Sequence, residues 1–278
     1  LKQIAVKDIT QKVRDLCISA ACNLEPDVAN AIKAAFRKEE SELGREVLGQ
    51  IIENFEIADT ESLPMCQDTG ISVFFVEVGR EVSLDGSLVD AINEGVRQGY
   101  KEGYLRKSVC HPLKRLNTGD NTPAIIHTSI VEGGKLKIKI APKGAGSENM
   151  SRLKMLKPAE GIEGIKGFVV ETIKDAGGNP CPPIVVGVGI GGSFEMCAIL
   201  AKKSLLRAIG TPNPDADLNK LEGELLDQIN NLGIGPMGFG GRTTALAVHV
   251  EAHPCHIASL PVAVNIQCHA GRHKEVVI

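Results

Sequence analysis

The stretch Ile125-Ile-His-Thr-Ser-Ile-Val-Glu-Gly133-Gly134-Lys-Leu-Lys-Ile-Lys-Ile140 decides the fold class. Leu136, Ile138 and Ile140 alternate strictly with Lys135, Lys137 and Lys139, the period of a strand with one buried and one wet face. Gly133-Gly134 before it reads as a two-residue turn, and the stretch Ile125 to Ile140 as a whole predicts a hairpin. Elsewhere helical and strand patterns alternate along the chain. A hairpin among them introduces antiparallel pairing, so the sheet is expected to be mixed rather than all parallel. The expected class is α+β or mixed α/β: a helical N-terminal region, then a mixed sheet with a hairpin and flanking helices.

Upstream, the first 57 residues read as helices. Ile9, Val13, Leu16 and Cys17 share one helical face, and Leu43, Val47, Leu48, Ile51, Ile52 and Phe55 share another, with a break at Pro26. Ile71 to Val78 is a strand, and a helix follows Ser87. Downstream, Gly161 to Ala176 is a helix closed by Gly177-Gly178, and Ile184 to Val188 is a buried strand. Phe194 to Ile209 and Asp217 to Leu232 are helices, and Thr244 to Val250 and Leu260 to Ile266 are strands. Repeats, low-complexity tracts and linkers are absent. The expectation is one domain over 1–278, helical to about residue 60 and α/β from about 61.

Composition removes several function classes. With 31 basic and 34 acidic residues the net charge is −3, and nine aromatics without Trp offer little to stack on bases, so a nucleic-acid binder is disfavoured. The sequence has no run of 18 apolar residues. The segment Leu1-Lys-Gln-Ile-Ala-Val-Lys has no signal-peptide apolar core. Eight Cys in 278 residues are too sparse for a disulfide scaffold, and none form a Cys-x-x-Cys pair. The expected setting is a reducing cytoplasm, with any metal held by cysteines far apart in the chain.

Four motifs carry possible chemistry. Gly187-Val-Gly189-Ile-Gly191-Gly192 satisfies G-x-G-x-x-G after a strand, but about 20 residues on stands Pro212-Asn-Pro-Asp215, with no second strand before it. A tight glycine turn for close packing is favoured over a dinucleotide site, and a third reading is backbone N–H groups presented to a small carboxylate. His249-Val-Glu251-Ala-His253-Pro-Cys255-His256 has metal-ligating types, but its alternation is that of a strand with polar residues at a surface, and Pro254 opposes a helical zinc pair. Lys143-Gly-Ala-Gly146-Ser147 is a turn whose N–H groups can nest an anion, without the closing Lys-Ser/Thr of a phosphate loop. Met65-Cys66-Gln67-Asp68-Thr69-Gly70 gathers a thiol, an amide and a carboxylate on one loop. Read singly, none of the four decides a function.

Together with Asn121-Thr-Pro-Ala-Ile-Ile-His-Thr-Ser129, Asn179-Pro-Cys-Pro-Pro183, His256-Ile-Ala-Ser-Leu-Pro261 and Gln267-Cys268, these stretches resemble the class I, iron–sulfur-dependent fumarate hydratases and their relatives the tartrate dehydratases. They occur in that family's order over most of the chain. The resemblance implies that Cys66, Cys181 and Cys268 hold a 4Fe–4S cluster. Three thiolates for four irons leave one iron open as a Lewis acid. Cys255, beside His256, stays open as an alternative third ligand, and Cys17, Cys22, Cys110 and Cys197 are assigned to packing or loops. The resemblance further implies that Asp68 is the proton-transfer carboxylate, and that Gln67, Arg106, Gly146 and His256 contact substrate. Ala145 stands where the family commonly has a second glycine.

The family's base threonine and further carboxylate-binding cations belong to a C-terminal portion that has no match in this sequence. The implied protein is therefore the α subunit of a fumarate hydratase, interconverting fumarate and (S)-malate once a β subunit completes the site. L-Tartrate or mesaconate dehydration remains a second reading and nicotinamide-dependent oxidoreduction a third.

Overall fold

The computed structural model describes residues 1–278, in the order β1 (Lys2–Ile4), α1 (Val6–Cys22), α2 (Pro26–Lys38), α3 (Glu42–Glu61), β2 (Ile71–Gly79), β3 (Val82–Leu84), α4 (Leu88–Glu102), β4 (Ile125–Val131), β5 (Leu136–Lys143), α5 (Ala145–Glu148), β6 (Arg152–Leu156), α6 (Gly161–Ala176), β7 (Ile184–Gly191), α7 (Phe194–Ser204), α8 (Ala216–Asn230), β8 (Ala245–His253), β9 (Leu260–Gln267) and β10 (Lys274–Val277). The class is the mixed α and β one expected, and the N-terminal region is helical. The chain forms two compact units. The first comprises Leu1–Glu25, Asn54–Gly144 and Arg272–Ile278; the second comprises Pro26–Glu53 and Ala145–Gly271. The three N-terminal helices are shared between them, α1 going to the first unit and α2 to the second, while α3 runs through both.

In the first unit a four-stranded sheet has the order β10-β5-β2-β4. Here the expected hairpin is corrected. β4 and β5 do not pair with each other: β2 lies between them, parallel to β4 and antiparallel to β5. The physical reason lies in β2 itself. It presents Val73, Phe74, Phe75 and Val76 buried without alternation, which suits a central strand rather than an edge. The Gly133-Gly134 turn is real, but it crosses the end of β2. A side chain on Gly79 would meet the Gly133 carbonyl at 2.3 Å. On β5 the alternation holds: Leu136, Ile138 and Ile140 are wholly buried, while Lys137 and Lys139 reach Glu275 of β10 at 3.3 and 2.9 Å.

Helices α1 and α4 pack together over the buried face of this sheet. The close approach depends on two glycines of α4, since a Cβ on Gly95 or Gly99 would lie 2.6 Å from Val13 or 2.7 Å from Cys17. Helix α4 begins as the sequence predicts, with Ser87 Oγ accepting the Asp90 N–H at 3.2 Å.

The second unit has a sheet of order β6-β9-β7-β8, with β7 parallel to β8 and antiparallel to β9. Ile184, Val186 and Val188 point to one face, where α6 and α8 cover them through Val169, Ile173, Leu221, Leu225 and Ile229. Gly187 and Gly189 occupy the alternate face. There α7 lies so close that a Cβ on Gly189 would be 2.0 Å from the Cys197 carbonyl, and one on Gly187 2.1 Å from that of Ala201. The glycine motif therefore seats a helix. A parallel second strand does follow, as β8, but only after two helices. Helix α7 ends at Ser204, short of the expected Ile209, because the N–H groups of Leu206 and Arg207 bond three residues back to Lys203 and Ser204.

Candidate active site

In the first unit the loop Met65–Gly70 is fixed at nearly every residue. The Met65 N–H donates to the Ala21 carbonyl at 3.0 Å, and the Met65 carbonyl accepts from Asn54 Nδ2 at 2.9 Å. Thr69 is buried and its hydroxyl donates to the Arg106 carbonyl at 2.6 Å. The buried Tyr100 hydroxyl lies 2.9 Å from the Thr69 carbonyl and 3.0 Å from that of Gly70. Burial, first, pushes the Tyr100 phenol up, so it stays a protonated donor. Asn121 Nδ2 also donates to the Gly70 carbonyl, at 3.2 Å, while its Oδ1 accepts the Ser108 N–H at 2.7 Å. Gly70 has φ 80, and a Cβ there would collide with the Lys143 backbone at 2.7 Å, so only glycine fits.

This scaffold carries three of the expected groups side by side. The Cys66 thiol is half-buried and donates to Gln67 Oε1 at 3.5 Å, with Gln67 exposed. Asp68 Oδ1 accepts the Gly70 N–H at 3.0 Å. Arg106 is tied to the loop by its carbonyl and keeps its side chain exposed, where its planar fork is open to a carboxylate.

The second unit presents the other expected ligands. Cys181 has φ 57, a left-handed conformation uncommon for a residue with a Cβ and more frequent at functional positions. Its carbonyl is bracketed by His269, whose N–H donates at 3.3 Å and whose Nδ1 lies at 3.0 Å. That contact joins the Cys181 loop to the residue after Cys268. The strand register agrees, since Val185 pairs with Gln267. Gly146 belongs to the same neighbourhood: a Cβ on it would be 3.6 Å from the Asn179 carbonyl.

His256 and Cys255 lie elsewhere. They follow β8 in the exposed turn before β9, beyond the pairing of Gly191 with His253. From Val262 to Gln267 the strand advances about 17 Å at 3.3–3.4 Å per residue. Cys255 and His256 therefore stand at the opposite end of the sheet from Cys181 and Cys268. Cys255 instead donates to the Ser259 carbonyl at 3.2 Å. His256 is not brought to the Cys181–Cys268 end within this unit.

Of the remaining polar residues of β8, His253 is exposed and Glu251 half-buried, as expected of a surface strand, and His249 departs from that role. His249 is buried, and desolvation, followed by Arg207, lowers its pKa to about 4. It is a neutral core histidine with Nδ1 3.1 Å from the Ser204 carbonyl.

Three cysteines are excluded as ligands by their surroundings. Cys17, Cys22 and Cys197 are buried, and desolvation raises the pKa of each, which keeps them as inert thiols. No disulfide forms among the eight. No three His, Cys, Asp or Glu side chains stand together at metal-binding separations.

One buried residue escaped the sequence reading. Arg272 is 2 % exposed and its Nη1 donates to the Asp68 carbonyl at 2.7 Å. In sequence it sits in Gly271-Arg-His-Lys-Glu275, which reads as a charged surface tail. Its spacing of four from Cys268 was the one available signal.

The comparisons with known proteins can be set on this geometry. A model of the family described as fumarate hydratase (fumerase) matches residues 10–277. A Methanocaldococcus jannaschii protein named "Putative L(+)-tartrate dehydratase subunit alpha" is 49% identical over 272 residues, covering 95% of each chain. The L(+)-tartrate dehydratase subunit alpha of Escherichia coli O157:H7 is 33% identical over 281 residues, covering 100% of this chain and 93% of that one. That of Escherichia coli strain UTI89 is 34% identical over 275 residues, covering 98% and 91%. No helix is long and apolar enough to cross a membrane. A profile match over nearly the whole chain, and relatives aligned from end to end, establish that this chain is a hydro-lyase chain of the fumarate hydratase family.

Proposed function

We propose that this chain is the cluster-bearing α subunit of a cytoplasmic enzyme that adds water reversibly to fumarate, giving (S)-malate. The observation that carries the reading is the His269 contact on the Cys181 carbonyl, which seats Cys181 and Cys268 at one end of one sheet. Thiolates are the donors that an iron–sulfur cluster takes. Cys66, Cys181 and Cys268 are all half-buried, and the thiols of Cys181 and Cys268 lie 3.9 and 3.8 Å from the carbonyls of Asn179 and Ala270 in their own loops. Cys66 is the remaining ligand proposed, and Cys268 is preferred to Cys255, which lies in the exposed turn between β8 and β9. When bound, the cluster supplies a Lewis-acid iron for a carboxylate and hydroxyl.

The chain's own residues supply positioning and proton transfer. The Arg106 guanidinium binds one substrate carboxylate, where a bidentate pair also fixes its orientation. The Gln67 amide and the Gly146 N–H donate to substrate oxygens. The Asp68 carboxylate moves the proton of the departing or arriving hydroxyl, and its loop holds it still enough to act as a general acid–base. The 278 residues act as one functional piece, completed by a β subunit, a reading supported by relatives that are themselves named alpha subunits.

A second substrate reading has its own support. The three relatives described above carry tartrate dehydratase names at 33–49% identity, and L(+)-tartrate is malate with one further hydroxyl. The test is anaerobic purification with a cognate β subunit, followed by steady-state rates on fumarate, (S)-malate, L(+)-tartrate and mesaconate. Preferential turnover of fumarate and malate supports the first reading, and preference for tartrate or mesaconate replaces it. A complex with stoichiometric iron and sulfide that turns over none of the four overturns the proposal.

A further inference from the structure

We propose that Arg272 is a positioning residue that aims the Asp68 carboxylate, an inference that rests on the hydro-lyase reading above. Arg272 is 2 % exposed, yet its guanidinium stays charged at every physiological pH. A buried cation would ordinarily be spent on a carboxylate. Here its hydrogen bond goes to a main chain, from Nη1 to the Asp68 carbonyl at 2.7 Å. A methyl built on Gly144 would lie 3.0 Å from Asp68 Oδ2 and 3.5 Å from Arg272 Nη2. The carboxylate and the guanidinium therefore border one small space that the absent side chain of Gly144 leaves open. Arg272 Nε has no partner there, so the head is not locked by a complete fork of its own.

The other restraints on the loop act away from the Asp68 carbonyl: upstream, Ala21 and Asn54 hold the Met65 backbone. Tyr100 and Asn121 hold the Gly70 carbonyl, and Thr69 bonds to Arg106. Arg272 acts at the peptide that carries the Asp68 side chain, and the two are 204 residues apart in sequence. Freeing that peptide lets the carboxylate swing without removing any group that touches substrate.

The test compares Arg272→Gln, Arg272→Lys and Gly144→Ala in the assembled, cluster-loaded enzyme, with iron content measured for each. In Arg272→Gln, kcat is expected to fall about 100-fold with KM held within about threefold, because misplacement of a proton-transfer group by about 1 Å is felt in the transition state and not in substrate binding. Arg272→Lys, which keeps the charge and one donor, is expected to recover about tenfold of that loss. Amide hydrogen exchange over residues 65–70 is expected to quicken in Arg272→Gln at unchanged iron content. Gly144→Ala, which wedges a methyl beside the pair with Arg272 intact, is expected to lower kcat alone, and it carries the test if Arg272→Gln does not fold.

Unchanged exchange at 65–70, a loss seen in KM rather than kcat, or no recovery with Lys overturns the proposal. If the unaltered complex turns over no dicarboxylate, the hydro-lyase reading fails, while the exchange comparison still decides whether Arg272 holds Asp68.

Discussion

At one end of the β7–β9 strand pair stand Cys181 and Cys268, half-buried and joined by His269; at the other stand Cys255 and His256 in an exposed turn. Both ends offer a thiol next to a histidine, and their residue types are nearly interchangeable. What separates them is enclosure. The first end has a residue with positive φ and a carbonyl bonded twice by a distant histidine, so the chain has been held in a conformation it would not choose locally. The second end closes on itself through bonds within five residues, as an ordinary surface turn does. Ligand chemistry alone does not distinguish the two ends; a conformation maintained from afar does.

The strongest test breaks the comparison directly. Cys181→Ser or Cys268→Ser is expected to reduce iron from about four per chain to near zero after anaerobic reconstitution, whereas Cys255→Ser retains it. Loss of iron in Cys255→Ser with retention in Cys268→Ser would reverse the assignment of the two ends.

Between the ends, His249 on β8 ties the sheet to the end of α7, facing Arg207, Glu222 and Asp27 with its Nδ1 toward Ser204. Its pKa is lowered to about 4 in the fold, against about 6.5 unfolded. The unfolded chain therefore binds the extra proton between those values, and stability falls as pH drops from 6.5 toward 4. The expected loss is about 3 kcal/mol from this group, read as the pH dependence of urea unfolding. His249→Asn should flatten that slope, and an unchanged slope would show that His249 is already protonated in the fold.

Gly189→Ala tests whether the two ends share one rigid strand. Its new methyl would fall 2.0 Å from the Cys197 carbonyl, so α7 must move, at a cost of about 2 kcal/mol by the usual range for overpacking. Chemical denaturation should show it as a lowered midpoint, and full stability would mean that α7 is free to slide. The smallest effect belongs to the exposed end. His256→Ala is expected to change unfolding free energy by less than about 0.5 kcal/mol and to leave iron content as it was. A loss of iron there would give His256 a ligand role in place of the substrate contact that the resemblance implies.

Much of the fold was legible in the sequence. Helices 6–22 and 161–176 and the cap at Ser87 follow from local physics: apolar spacing, a side-chain oxygen at the N-terminus, and glycine past the C-terminus. The glycine motif, lacking the second strand and acid of a dinucleotide site, points to close packing, and packing against α7 is what it does. The hairpin does not follow from its turn, because a turn fixes only that the chain reverses, not which strand then fills the gap. Short strands such as β6 and β10 carry too few residues to show a period, and both exist through pairing with β9 and β5. Arg272 went unseen because a buried cation and a surface one look alike in a string of letters.

By itself, then, the sequence determined the helices, the alternating faces of the strands, the net charge and the motifs that carry family membership, since each depends on residues within a few positions of one another or on their order. Only the tertiary structure decided which cysteine and which histidine share an end of the sheet. Likewise, it alone set β2 between β4 and β5 and put Arg272 beneath Asp68. Those outcomes turn on register and burial between segments as much as 204 residues apart, where a shift of one residue would reverse every side chain and leave the local pattern unchanged.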